Sequence, residues 1–96
     1  MKKLELASQE FLRRLFQERL PAGCSVYLFG SRARGDATWN SDFDFWIDPT
    51  VDRKILVEIE EILEESFVPY HVDLVTTDQL KGEFGRQVRA EARRWN

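Results

Sequence analysis

The stretch Asp42-Phe43-Asp44-Phe45-Trp46-Ile47 constrains the fold more than any other part of the chain. Read as a β-strand, it alternates its side chains between two faces. Phe43, Phe45 and Ile47 point one way, and Asp42, Asp44 and Trp46 the other. The apolar side has to be buried against other elements. The opposite side carries two carboxylates about 6.5–7 Å apart. On a half-buried face such a pair repels itself and loses hydration, a cost that a cation removes. Pro49 closes the strand,.

The flanking sequence supplies the remaining elements. Leu4 to Leu20 reads as an amphipathic helix with Leu4, Phe11, Leu12, Leu15 and Phe16 on one stripe, stopped by Pro21-Ala22-Gly23,. Ser25 to Phe29 is a short β-prone run,. Gly30 to Ser41 is punctuated by turn formers, and a short helix can begin near Ser31,. Ile55, Ile59, Ile62, Leu63 and Phe67 are spaced for the buried face of a second long helix, which Pro69 ends,. Val72 to Val75 is a third alternating strand, with Asp73 opposite Val72 and Leu74,. Asp78 is placed to cap a helix after that strand, and the remainder, to Trp95, reads as one or two helices,. The expected fold is α/β: one small domain over residues 1–96, with a mixed three-stranded sheet packed on helices,.

Composition narrows the function. Ninety-six residues suffice for one core, and 43% apolar with 32% charged residues excludes a disordered chain,. No apolar run approaches the roughly 20 residues that cross a bilayer. The charged start is unlike a signal peptide, so a cytoplasmic location is expected and no membrane partner. The lone Cys24 cannot form an internal disulfide and reads as a small apolar residue before a strand,. A net charge of −3 argues against direct nucleic-acid binding,. The charge is uneven, acidic from Asp42 to Glu65 and basic from Lys81 to Asn96, where Glu83 and Glu91 are the anions. The basic end is a solvated helix face, or a contact for a nucleotide triphosphate or an acidic partner.

The pattern around the aspartates points to phosphoryl chemistry. Gly30-Ser31 comes directly after the first strand, where a glycine lets backbone approach a phosphate and successive N–H groups bind an anion,. Ser31 adds a hydroxyl, and Arg32 and Arg34 can neutralise phosphate charge,. With Asp73 on a neighbouring strand, Asp42, Asp44 and Asp73 would converge as oxygen ligands for Mg²⁺,. Rival motifs fail. A Walker A loop needs lysine where Asp36 stands, and the aspartate spacing lacks the central glycine and terminal glutamate of an EF-hand,. His71 beside the third strand reads as structural or as a phosphate or acceptor contact,. Trp39 packs under its loop, stacks on a base or meets a partner, while Trp46 and Trp95 are packing residues or interface anchors,.

Gly30-Ser31, ten intervening residues and Asp42-Phe43-Asp44 resemble the motif of the DNA polymerase β-like nucleotidyltransferases. The longer string GSRARGDATWNSDFDFWID is similar to minimal nucleotidyltransferase (MNT) domains, including the antitoxins of HEPN–MNT toxin–antitoxin pairs. Asp73, in Val-Asp-Leu-Val, matches the third carboxylate of that fold. The resemblance implies that Gly30 and Ser31 hold a triphosphate, that Asp42 and Asp44 ligate Mg²⁺, and that Asp73 completes a second metal position and helps activate an acceptor hydroxyl. It also implies ATP as substrate, AMP as the group moved, and a tyrosine of a HEPN ribonuclease toxin as acceptor within a hetero-complex. Two alternatives stand beside it: a module that neutralises its partner by binding alone, and a small-molecule nucleotidyltransferase like those that modify aminoglycosides. Larger members grip base and acceptor with extra domains, and nothing in these residues reads as a grip for the base.

Overall fold

A computed structural model describes residues 2–96. Helix α1 (Lys2–Arg19) leads into strand β1 (Ser25–Phe29), a single-turn helix α2 (Ser31–Arg34) and strand β2 (Phe43–Asp48). The chain continues through helix α3 (Arg53–Glu64), strand β3 (Val72–Thr76), a 3₁₀ turn (Thr77–Gln79), helix α4 (Gly82–Glu91) and a two-residue strand β4 (Arg93–Arg94). The sheet runs β3-β2-β1-β4 and is mixed: β2 is antiparallel to β1 and parallel to β3, and β4 is antiparallel to β1.

The sheet therefore has four strands where the sequence suggests three. Arg93 and Arg94 show neither apolar alternation nor β-branching, and they pair with Leu28 and Tyr27 because α4 delivers them to the free edge of β1,. The tail continues this pairing: the Trp95 N–H donates to the Val26 carbonyl (2.7 Å), and the Val26 N–H donates to the Asn96 side-chain oxygen (3.0 Å). Asp78 is also not a cap. The 3₁₀ turn is capped by Thr76, whose N–H donates to Gln79 Oε1 (2.9 Å), while Asp78 accepts from the hydroxyls of Thr76 and Thr50.

Alternation in β2 sorts the core into two layers. Phe43, Phe45 and Ile47 are buried with Val26 beneath Leu12, Leu15 and Phe16 of α1 and Ile59 of α3. Trp95 joins this layer, its ring 5.0 Å from that of Phe45. Leu4 extends the α1 stripe but remains exposed, and Phe67, expected on the buried face of the second helix, lies beyond its end at Glu64 and is also exposed. On the other side, Trp46 stacks on Tyr27 (4.6 Å between ring centroids) and packs with Phe29, Leu80 and Val88, so α4 covers this face. The Trp46 indole N–H donates to Thr77 Oγ1 (2.9 Å), giving its one polar atom a partner,. The second face ends where β1 runs into the Gly30 turn, beside Asp44 of β2. No helix among the described residues is long and apolar enough to cross a membrane.

Candidate active site

Strand register brings Asp44 and Asp73 together at that end. Asp44 and Asp73 are partners across the parallel β2–β3 pair, and Asp44 faces Phe29 across the antiparallel pair with β1. Neighbouring strands lie about 4.8 Å apart, so partnered side chains share a face at close range. Asp42 precedes β2 and is exposed, Asp44 is half-buried, and Asp73 is exposed at the rim. Burial pushes the Asp44 carboxyl above the usual aspartate range; the charges of Asp73 and Asp42 raise it further, against weaker opposition from His71 and Arg34,. The three carboxylates thus sense one another. His71 is exposed, its Nε2 3.9 Å from Asp73 Oδ1.

The turn after β1 closes against this group. Gly30 has φ +78° and ψ −159°, in the left-handed half of the map that suits glycine,. A Cβ built on it would sit 2.3 Å from Asp44 Oδ2 and 3.2 Å from its Cγ, so any side chain there would push the carboxylate aside. The N–H groups of Ala33 and Arg34 fold back to the Gly30 carbonyl (3.0 Å each), which makes Gly30 the residue before α2 and Ser31 its first residue. The Ser31 and Arg32 N–H groups stay outside the helix's own bonds, as at any helix start. Gly35, at φ +91°, ends the turn.

The two arginines part company. Arg34 stays on the acidic side, where it contributes to the charge at Asp44. Arg32 turns to the opposite face, and the structure does not bring it to the aspartates. Its side chain is 8% exposed and its guanidinium lies 4.1 Å from the Phe43 ring centroid and 5.0 Å from that of Tyr70. Its Nε donates to the Ser41 carbonyl (3.0 Å), directly before Asp42. Arg32 thereby anchors the loop that presents the acidic strand. Trp39 does not pack under that loop; it is 65% exposed on it.

Sequence reading counts Glu91 only as an anion in a basic tail, yet it belongs to this site. Its Oε1 accepts the Gly30 N–H (3.0 Å) and its Oε2 accepts Arg34 Nη1 (2.8 Å). No local signal marks it, because both contacts span more than half the chain.

The donor set suits a hard cation: carboxylate oxygens only, one half-buried and raised by its like-charged neighbours,. Among the described residues no three His, Cys, Asp or Glu side chains are already gathered at metal-binding spacing.

With this geometry in place, the likeness to known proteins has a structural meaning. The family model for the nucleotidyltransferase domain matches residues 10–96. The chain belongs to that family. Two solved structures share the fold of this nucleotidyltransferase domain. One, described as a toxin-antitoxin with AMP-PNP, is 26% identical, has a TM-score of 0.72, and aligns over 92% of this chain and 72% of its own. The other, a mutant of the toxin-antitoxin MntA-HpeT, is 22% identical, has a TM-score of 0.69, and aligns over 92% and 71%. No curated protein matches this chain.

Proposed function

We propose that this nucleotidyltransferase domain moves AMP from ATP to a hydroxyl of a protein partner, a tyrosine of a HEPN-type toxin, and so acts as an antitoxin. The observation that carries the reading is the contact between the Gly30 backbone and the Asp44 carboxylate, with Asp73 paired to Asp44 across the strands. The backbone of a helix start and a half-buried carboxylate meet at one point. A relative solved with AMP-PNP in a toxin–antitoxin complex supports both the nucleotide and the kind of partner.

In this reading the N–H groups of Ser31 and Arg32, the Ser31 hydroxyl and the Arg34 guanidinium receive the triphosphate. Arg32 contributes through its backbone and by anchoring the loop. Asp42 and Asp44 would hold Mg²⁺, with Asp73 as a further ligand. When bound, Mg²⁺ neutralises the triphosphate and the pyrophosphate that leaves. The acceptor oxygen bonds to the α-phosphorus, the bond from that phosphorus to the bridging oxygen breaks, and pyrophosphate departs. Asp73, 61% exposed at the rim, takes the hydroxyl proton of the acceptor in this reading,. The exposed Trp39 lies on the loop beside this entrance and offers an aromatic contact for the partner,.

The test is intact mass spectrometry of the protein encoded by the adjacent gene after incubation with the chain, ATP and Mg²⁺. The expected result is a gain of one or more adenylyl masses, lost with Asp42→Asn/Asp44→Asn. Tight binding with an unchanged partner mass overturns the proposal in favour of neutralisation by complex formation. A labelled small molecule with an untouched partner overturns it in favour of small-molecule transfer.

A further inference from the structure

Two of the three nitrogens of the Arg34 guanidinium are held by acids. Nε donates to Asp36 Oδ2 (3.2 Å) and Nη1 to Glu91 Oε2 (2.8 Å), while Nη2 has no hydrogen-bond partner among the described residues. A planar guanidinium fixed along two edges presents its third in a set direction. Asp36 sits on the same exposed loop as Arg34 and is 63% exposed, so it restrains weakly,. Glu91 is different. It is 13% exposed, it ends α4, and its second oxygen accepts the N–H of Gly30 (3.0 Å). Gln87, one turn earlier on α4, donates to Glu91 Oε2 (3.2 Å) and steadies the carboxylate. One side chain therefore ties together the glycine packed on Asp44 and the arginine beside it.

We propose that Glu91 is a positioning residue, whose carboxylate fixes the Gly30–Ser31 turn and the Arg34 guanidinium in the arrangement that receives a nucleoside triphosphate. The inference rests on the nucleotide reading above and deepens it. It gives α4 a task beyond covering the aromatic face: its last residue sets the shape of the phosphate loop. Burial alone would push the Glu91 carboxyl up, but hydrogen bonds from Gln87, Arg34 and Gly30 outweigh it and hold the group ionised below the usual range,. Near neutral pH the carboxylate is therefore ionised and accepts from both Gly30 and Arg34.

The experiment is a double-mutant cycle on Kd for ATP with Mg²⁺, by titration calorimetry, using wild type, Glu91→Gln, Arg34→Ala and the double variant. Glutamine keeps an acceptor for Gly30 but turns an amide toward Arg34. We expect each single variant to weaken ATP binding about tenfold, and the double variant to be no weaker than Arg34→Ala alone. Glu91→Asp, with the charge kept and the reach shortened, is expected to weaken binding like Glu91→Gln and serves where the latter folds poorly. Unchanged or tighter ATP binding in the folded Glu91 variants overturns the role, as does additivity in the cycle; tighter binding would mean that Glu91 competes with phosphate for these donors. A wild-type chain that binds no ATP overturns the nucleotide reading and this inference together, whereas wild-type binding with an additive cycle removes the role of Glu91 alone.

Discussion

Gly30 and Asp44 are in such close contact that a methyl group on the glycine would fall 2.3 Å from the aspartate's Oδ2. The turn after β1 therefore packs directly on the acidic end of β2. Gly30→Ala meets two penalties, the clash and a positive φ of 78°. The expected loss is roughly 2–3 kcal/mol of stability, read from urea denaturation. The alanine variant should also fail to bind ATP at temperatures where it is still folded, because Asp44 is displaced. Wild-type stability in this variant would mean that the contact is not closed in solution.

Arg32 and Arg34 should separate stability from binding. Arg32→Ala removes a guanidinium packed on Phe43 and Tyr70 and the bond to the Ser41 carbonyl. It should cost about 2 kcal/mol, lowering Tm by roughly 10 °C in a domain of this size. Arg34→Ala removes an exposed side chain and should leave Tm within a few degrees while weakening ATP binding,. The reverse pattern in thermal melts and titrations would reassign the phosphate arginine.

Asp44 should make the fold less stable as pH rises. Its carboxyl is raised in the folded state by burial and by Asp73 and Asp42, so the folded chain holds that proton more tightly than the unfolded one. The stability linked to this group is greatest below the ordinary aspartate pKa of about 3.9. It falls as pH climbs through the raised value, above which the ionised group is a net cost. Asp44→Asn is therefore expected to raise Tm by a few degrees at pH 7 without divalent cations, with the advantage shrinking toward acid pH. Mg²⁺ should raise the wild-type Tm and leave that of Asp44→Asn almost unmoved. A metal-free Asp44→Asn variant that melts below wild type at pH 7 would contradict the repulsion.

Trp95 should matter more than its place in a charged tail suggests. It is 8% exposed, its ring lies against Phe43 and Phe45, and Arg13 stacks on it at 4.0 Å. Trp95→Ala should cost about 3–5 kcal/mol, a large share of the stability of so small a domain. The indole nitrogen is buried without a partner, so Trp95→Phe should cost much less,. Chemical denaturation of the pair decides it; equal losses would mean that the indole N–H has a bond that this geometry does not give it.

Some of this molecule could be read directly from residue order. Phe43, Phe45 and Ile47 alternate with Asp44 and Trp46, and that period of two set one core layer and the acidic face with no knowledge of neighbours,. The apolar spacing of Leu12, Leu15, Phe16 and Ile59 likewise marked which sides of two helices are buried,. The Gly30-Ser31 and Asp42-Phe43-Asp44 motif was legible because close backbone approach and paired carboxylates each demand particular residue types. What depends on distant segments meeting was not legible. The register that sets Asp73 against Asp44, the pairing of Arg93 and Arg94 with β1, the burial of Arg32 on the far face and the reach of Glu91 to Gly30 were decided by tertiary packing alone. Local propensity reports only on neighbours a few residues away, whereas these contacts join segments whose meeting depends on how the whole sheet and its helices close.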